Sequence, residues 1–134
     1  MDIIQLDSGK VFDLYALLIN DKCQVKEYIS NLDEINQKQI FALFTHILEK
    51  GPPSNIQKFN YIGDGIYELK TWRGVRILSF YGDLNLPRSL ILTHGFPKPK
   101  KKKLLNEKVK AVKWHKEYLG ISDIKKIIIM EGKS

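Results

Sequence analysis

Arg76, His94 and a lysine-rich segment opening at Lys98 are residue types with which a protein can work on a phosphodiester without a metal. On RNA that chemistry needs three things: a group to activate the 2′-hydroxyl, a proton donor for the leaving 5′-oxygen, and fixed cations facing the charge that builds on phosphorus. Arginine suits the last role because its guanidinium is always charged and its planar fork meets two phosphate oxygens at once. Arg76 stands among Val75, Ile77 and Leu78, where an inward charge would be costly, so an exposed sheet face is the expected place for it. A solvent-facing arginine paired with Glu68 across the hairpin is the equally weighted alternative. His94, directly before Gly95, occupies a strand end from which a side chain can project past a sheet, and its ordinary pKa of about 6.5 suits acid or base work near neutrality. His46 and His115 fall on helical patterns and read as structural.

Lys98, Lys100, Lys101, Lys102 and Lys103 place five ammonium groups within six residues, with Pro97 and Pro99 interleaved. Mutual repulsion and the prolines favour an extended loop over a helix there. Tethered between a strand pattern and a helix pattern, such a loop is a phosphate clamp, to which Lys70 and Arg73 would add. Trp72, Tyr81 and Phe96 are available to stack on unpaired bases, and each is as readily a packing residue; Trp114 is assigned to the core. The charge is segregated as a clamp requires. Residues 1–66 carry 6 Lys and Arg against 9 Asp and Glu, while residues 67–134 carry 16 against 6. A net of −3 thus faces a net of +10, which attracts polyanions to one half of the chain.

With 134 residues, 43% of them hydrophobic, the chain suits one domain with one core. Its single cysteine, Cys23, can form no internal disulfide, and no Cys or His spacing suggests a metal site; neither metal nor cofactor is expected. The N-terminal residues lack a basic region followed by an apolar core, and no apolar run approaches the ~20 residues that span a bilayer. A cytoplasmic protein is therefore expected.

The elements that must position these residues follow from periodicity. Ile3-Ile4 and residues 11–19, separated by Asp7-Ser8-Gly9-Lys10, predict a β-hairpin. Asp21 to Gln24 has the form of a capping box, predicting a short helix to about Leu32. A second helix is predicted from about Asp33, with Ile40, Leu43, Phe44, Ile47 and Leu48 on one stripe, ending at Gly51-Pro52. After a polar loop come three strands, residues 65–70, 75–81 and 89–94, whose short connections favour an antiparallel meander. Leu105, Val109, Val112, Lys116 and Leu119 predict a last helix with a narrow apolar stripe, and residues 127–130 form a short apolar run suited to an added edge strand. The fold class expected is α+β, a single domain over 1–134 with residues 120–134 as a C-terminal extension.

Taken in order, residues 65–70, Arg76-Ile77-Leu78, residues 94–98 and the helix through Glu117-Tyr118-Leu119 resemble the RelE/ParE toxin superfamily, and within it the phage-derived HigB-like branch. The helical pair before them agrees, so the resemblance covers about residues 11–119. It implies a small antiparallel sheet packed against an N-terminal helical hairpin plus a C-terminal helix. It also implies a type II toxin that cleaves mRNA, usually on the ribosome, and is neutralised by a cognate antitoxin, often of helix-turn-helix type. By that resemblance Arg76 matches a strand arginine that stabilises the transition state, Lys98 a basic residue of the loop after the last strand, and Lys70 a basic strand-end position. Glu68 stands where the ribosome-dependent nucleases have a further lysine, Leu104-Leu105 where relatives often have Thr-Pro, and the C-terminal catalytic tyrosine has no clear counterpart. A ParE-like gyrase inhibitor and a non-catalytic RNA-binding phage accessory protein are the alternative readings.

Overall fold

A computed structural model describes residues 1–97, 101–120 and 127–129. The predicted hairpin forms from β1 (Asp2–Ser8) and β2 (Asp13–Leu18), paired antiparallel. The helix after it starts later than the capping pattern predicts. Asn20 and Asp21 both adopt positive φ, 52° and 64°, in a tight turn across which Ile19 and Lys22 exchange backbone hydrogen bonds of 2.9 and 3.0 Å. Asp21 is therefore committed to the turn, and α1 (Gln24–Ser30) is capped by Cys23 without a side-chain hydrogen bond. The second cap holds. Asp33 Oδ1 accepts from Asn36 N at 2.8 Å at the start of α2 (Glu34–Lys50), and Gly51 ends that helix by donating to Ile47 O. Gln37 Nε2 donates to Ile29 O at 2.9 Å, tying the two helices together.

The stretch expected to be polar loop contains an additional strand, β3 (Phe59–Gly63). It turns into β4 (Ile66–Lys70) through Asp64 and Gly65, both at positive φ (54° and 80°), the conformation that a two-residue hairpin turn demands and Asp-Gly provides. β5 (Val75–Tyr81) and β6 (Ser89–Pro97) complete the antiparallel meander, β6 running past the predicted end at His94. β6 then pairs in parallel with β2, and β7 (Ile127–Ile129) pairs in parallel with β1. The result is a seven-stranded mixed sheet ordered β3-β4-β5-β6-β2-β1-β7, larger than the small antiparallel sheet that was expected. The parallel β2–β6 contact requires a long crossover, which α1, α2 and the first three meander strands supply.

Both sheet faces are covered, which explains why β2, β5 and β6 read as continuous apolar runs instead of alternating ones. On one face Ile4, Leu14, Ala16, Leu69, Ile77, Leu90 and Leu92 meet Val25 and Ile29 of α1 and the predicted stripe of α2. On the other, Ile3, Tyr15, Leu17, Ile66, Leu78, Phe80 and Ile91 meet the last helix, α3 (Lys101–Leu119). That helix turns most of the predicted stripe outward, with Val112 alone of it packing against the inner core. Glu107, Ala111 and Tyr118 are buried, whereas Leu105, Val109 and Leu119 are 60%, 62% and 57% exposed. The reason is polar anchoring: Glu107 reaches His94 on β6, and Tyr118 Oη donates to Asp83 Oδ1 at 2.9 Å.

One close approach fixes α1 on the sheet. A Cβ at Gly95 would be driven into the Tyr28 ring, whose hydroxyl donates to Phe96 O at 3.1 Å and accepts from Arg76 N at 3.4 Å. Gly95→Ala should therefore destabilise the fold by about 1–3 kcal/mol through overpacking. Urea titration should show a lower midpoint at unchanged slope; an unchanged midpoint would mean that Tyr28 yields freely.

Candidate nucleic-acid interface

Three of the basic residues singled out in the sequence, Lys70, Arg73 and Arg76, gather at one end of the sheet. Arg76 opens β5 opposite Lys70 on β4 and Phe96 on β6, and the β4–β5 turn carries Trp72 and Arg73 beside them. Lys98 and Lys100 lie outside the described residues. Lys101, Lys102 and Lys103 belong to the first turn of α3, so this part of the expected loop is helical. No acidic residue accompanies them there. Lysines in the first turn of a helix oppose the positive end of its dipole, an arrangement that a bound polyanion relieves.

Arg76 is not on an open face. Its Nε lies 3.4 Å from Glu68 Oε2, and Nη1 donates to the carbonyls of Val75 (3.0 Å) and Thr71 (3.4 Å). The pairing with Glu68 is thus the arrangement adopted, but at 13% and 6% exposure the two side chains are largely enclosed and do not face solvent. Burial pushes the Glu68 carboxyl above its ordinary range, against the opposing pull of Arg76 and Lys70. The guanidinium is thus held in one orientation by three acceptors, at the edge of the cationic end.

His94 does not project past the sheet. At 4% exposure it is enclosed, with Nε2 donating to Glu107 Oε1 at 2.9 Å and Nδ1 2.9 Å from Thr93 Oγ1, the hydroxyl that donates to Leu78 O. Trp114 meets the ring edge-on at 5.1 Å and Phe96 packs beside it at 5.6 Å. Burial lowers the His94 pKa, with Glu107 opposing. Burial pushes the Glu107 carboxyl up, but the hydrogen bonds from His94 and Lys110 outweigh it and the net shift is downward. This arrangement fastens α3 to β6, and nothing in the sequence pattern had connected His94 with Glu107. His115 is half-buried and stacks on Phe80 at 4.4 Å, as its structural reading expects.

The stacking candidates separate clearly. Phe96 is buried and Tyr81 belongs to an aromatic cluster with Phe12, Phe59 and Tyr67. Trp72 is 94% exposed on its turn, between two clefts. One is lined by Tyr28, Leu32, Asn36, Arg73 and Pro97, the other by Gln39, His46, Lys58 and Lys70. Arg73 is the more tethered cation, with Nη2 3.9 Å from Asp33 Oδ2. An exposed indole flanked by Lys58, Lys70 and Arg73 has the composition of a platform for an unpaired base beside a phosphate chain.

Among the described residues, no helix is long and apolar enough to cross a membrane. Comparison with curated proteins and with solved structures gives no match. Comparison with protein families does: residues 27–116 match the family described as phage derived protein Gp49-like (DUF891). That span runs from α1 through most of α3 and holds Lys70, Trp72, Arg73, Arg76 and His94. The chain therefore belongs to the phage-derived Gp49-like family, a family of the RelE/ParE toxin type.

Proposed function

We propose that this protein is the toxin of a type II toxin–antitoxin system, a HigB-like, metal-independent endoribonuclease that cleaves mRNA on the ribosome in the cytoplasm. A cognate antitoxin, of helix-turn-helix type, holds it inactive. The observation that carries this reading is the gathering of Lys70, Arg73 and Arg76 at one sheet end of a Gp49-like domain whose last helix opens with three lysines. There the 2′-hydroxyl of the target nucleotide loses its proton to water and attacks phosphorus, the bond to the 5′-oxygen breaks to leave a 2′,3′-cyclic phosphate, and the 5′-oxygen takes a proton from water. Arg76 faces the charge that accumulates on the non-bridging oxygens, pre-oriented by Glu68 and two carbonyls. Lys98 and Lys100 to Lys103 hold flanking phosphates, and Trp72 stacks on an exposed base. His94, enclosed under α3, acts as a positioning residue that sets where the helix and its lysines stand.

Inducible expression in a bacterial host with 5′-end mapping of total mRNA tests this directly. Growth arrest with new 5′ ends confined to translated regions is expected. Arrest with intact mRNA would move the reading to a gyrase inhibitor. Absence of arrest would leave a non-catalytic RNA-binding accessory protein, the reading favoured by one observation: Glu68 already neutralises Arg76. A second measurement examines the clamp. Changing Lys101, Lys102 and Lys103 to Gln should flatten the log K against log[salt] plot for single-stranded RNA by about 2, at roughly 0.7 for each phosphate no longer neutralised. An unchanged slope would make these lysines a solvated surface.

A further inference from the structure

The apolar stripe on the outer side of α3, of which Val112 alone also reaches the inner core, has its own pattern. Leu105, Val109, Val112, Lys116 and Leu119 recur at spacings of 4, 3, 4 and 3, the alternation of a coiled-coil seam. Val109 and Lys116 then occupy a positions, and the two leucines and Val112 occupy d positions. β-Branched residues at a with leucine at d are the preference of a two-stranded parallel coil, and a lone lysine at a sets register. Leu105, Val109 and Leu119 are more than half exposed, and Lys116 is exposed. Val112 is half-buried against the inner core. The helix does not need this stripe to hold its place, because Ala111, Tyr118 and the Glu107–His94 and Tyr118–Asp83 hydrogen bonds dock its opposite side.

The flanks select the occupant. Residues 101–119 hold seven lysines against two glutamates, and one of these, Glu107, is turned inward. Lys113 stands exposed at an e position, and Lys108 at a g position pairs with Asp64 at 3.1 Å. We propose that this stripe docks an acidic amphipathic helix from a separate protein, paired with α3 as a coil of two heptads. Its a and d residues cover Leu105, Val109 and Leu119, and its carboxylates face Lys113 and Lys116. A second copy of this chain fits poorly, because a parallel pairing sets Lys116 against Lys116 and repeats the lysine flanks on both sides. RNA has no use for the apolar seam. The inference does not depend on the nuclease reading.

The test uses the full chain and a labelled 21-residue peptide with Val at a, Leu at d, Glu at e and g, and one Glu at the a site facing Lys116. Fluorescence anisotropy should show saturable binding with a Kd on the order of 10 μM, about −7 kcal/mol. Val109→Asp should weaken it at least tenfold while leaving the circular dichroism spectrum and melting midpoint unchanged, since Val109 lies on the exposed face. A twin peptide with Lys for every Glu should not bind the native chain, and it should bind the K113E/K116E variant. Lack of saturable binding, indifference to Val109→Asp, or equal binding of the twin would overturn the proposal. So would sedimentation showing that the chain pairs with itself through the stripe.

Discussion

Arg76→Ala is expected to abolish growth arrest, with mRNA cleavage slowed by about 10²–10³, the usual loss when one preorganised charge facing a transition state is removed. Read alone, that variant is ambiguous. It strands Glu68, a carboxylate buried to 4% exposure, and removing one partner of a buried ion pair costs about 3–5 kcal/mol. Instability would then imitate loss of chemistry. The variant carrying Glu68→Gln together with Arg76→Gln removes both charges and keeps both shapes, so it should melt close to the native protein. If it folds and remains harmless, Arg76 acts on substrate. A harmless single variant beside a fully toxic double one would assign Arg76 to stability alone, and toxicity in both would remove it from the site. Glu68→Gln by itself strands the guanidinium in the same way and should also lower the melting midpoint, but its folded fraction should bind RNA more tightly, because the guanidinium is freed from its internal counter-ion.

The second large effect concerns the other buried pair. His94→Ala removes a ring enclosed by Thr93, Phe96, Trp114 and Glu107 and should destabilise the protein by about 2–4 kcal/mol. Its pH signature separates it from simple cavity formation. His94 titrates below its ordinary 6.5 when folded, so the folded state binds fewer protons than the unfolded chain just below that pH. Its contribution is complete above pH 6.5 and declines as pH falls toward the folded pKa. Glu107, held below its ordinary 4.5, adds stability that is present above 4.5 and is lost at still lower pH. His115, lowered by burial, acts in the same sense as His94, while Glu68, raised by burial, acts in the opposite sense above its ordinary range. Melting midpoints recorded from pH 7.5 to 5 should therefore fall for the native chain and fall less steeply for His94→Gln. Parallel curves would mean that the pair does not titrate with folding. A loss of RNA affinity accompanying the loss of stability would show that α3 must be docked for its lysines to act.

Much of the architecture was legible because local signals and tertiary demands agree. The α2 stripe from Ile40 to Leu48, its Asp33 cap and the Gly51 stop are all set within the segment itself, and the meander strands carry short apolar runs between turn residues. β3 was missed for want of apolar length, although Asp64-Gly65 between Tyr61 and Tyr67 was the hairpin signal that would have found it. Asp21 misled as a cap because Asn20 and Asp21 suit a positive-φ turn equally well, and the Ile19–Lys22 bridge decides between the two uses. α3 was recognised as a helix and assigned the wrong inner face. Its strongest apolar stripe points outward, and the sheet selects instead the face whose Glu107 and Tyr118 can satisfy His94 and Asp83.

The sequence by itself determined the α+β class, the capped amphipathic helix, the meander strands and the concentration of positive charge in the second half of the chain. Those depend on periodicity, turn chemistry and composition, which are properties of adjacent residues. Only the tertiary structure decided that β2 joins β6 in parallel to make one mixed sheet, that Arg76 is held by Glu68, that His94 is enclosed under α3, and that Trp72 stands free between two clefts. Each of these depends on which distant groups can satisfy a buried charge, a donor or an exposed edge, and that choice is made between segments, after the elements have formed.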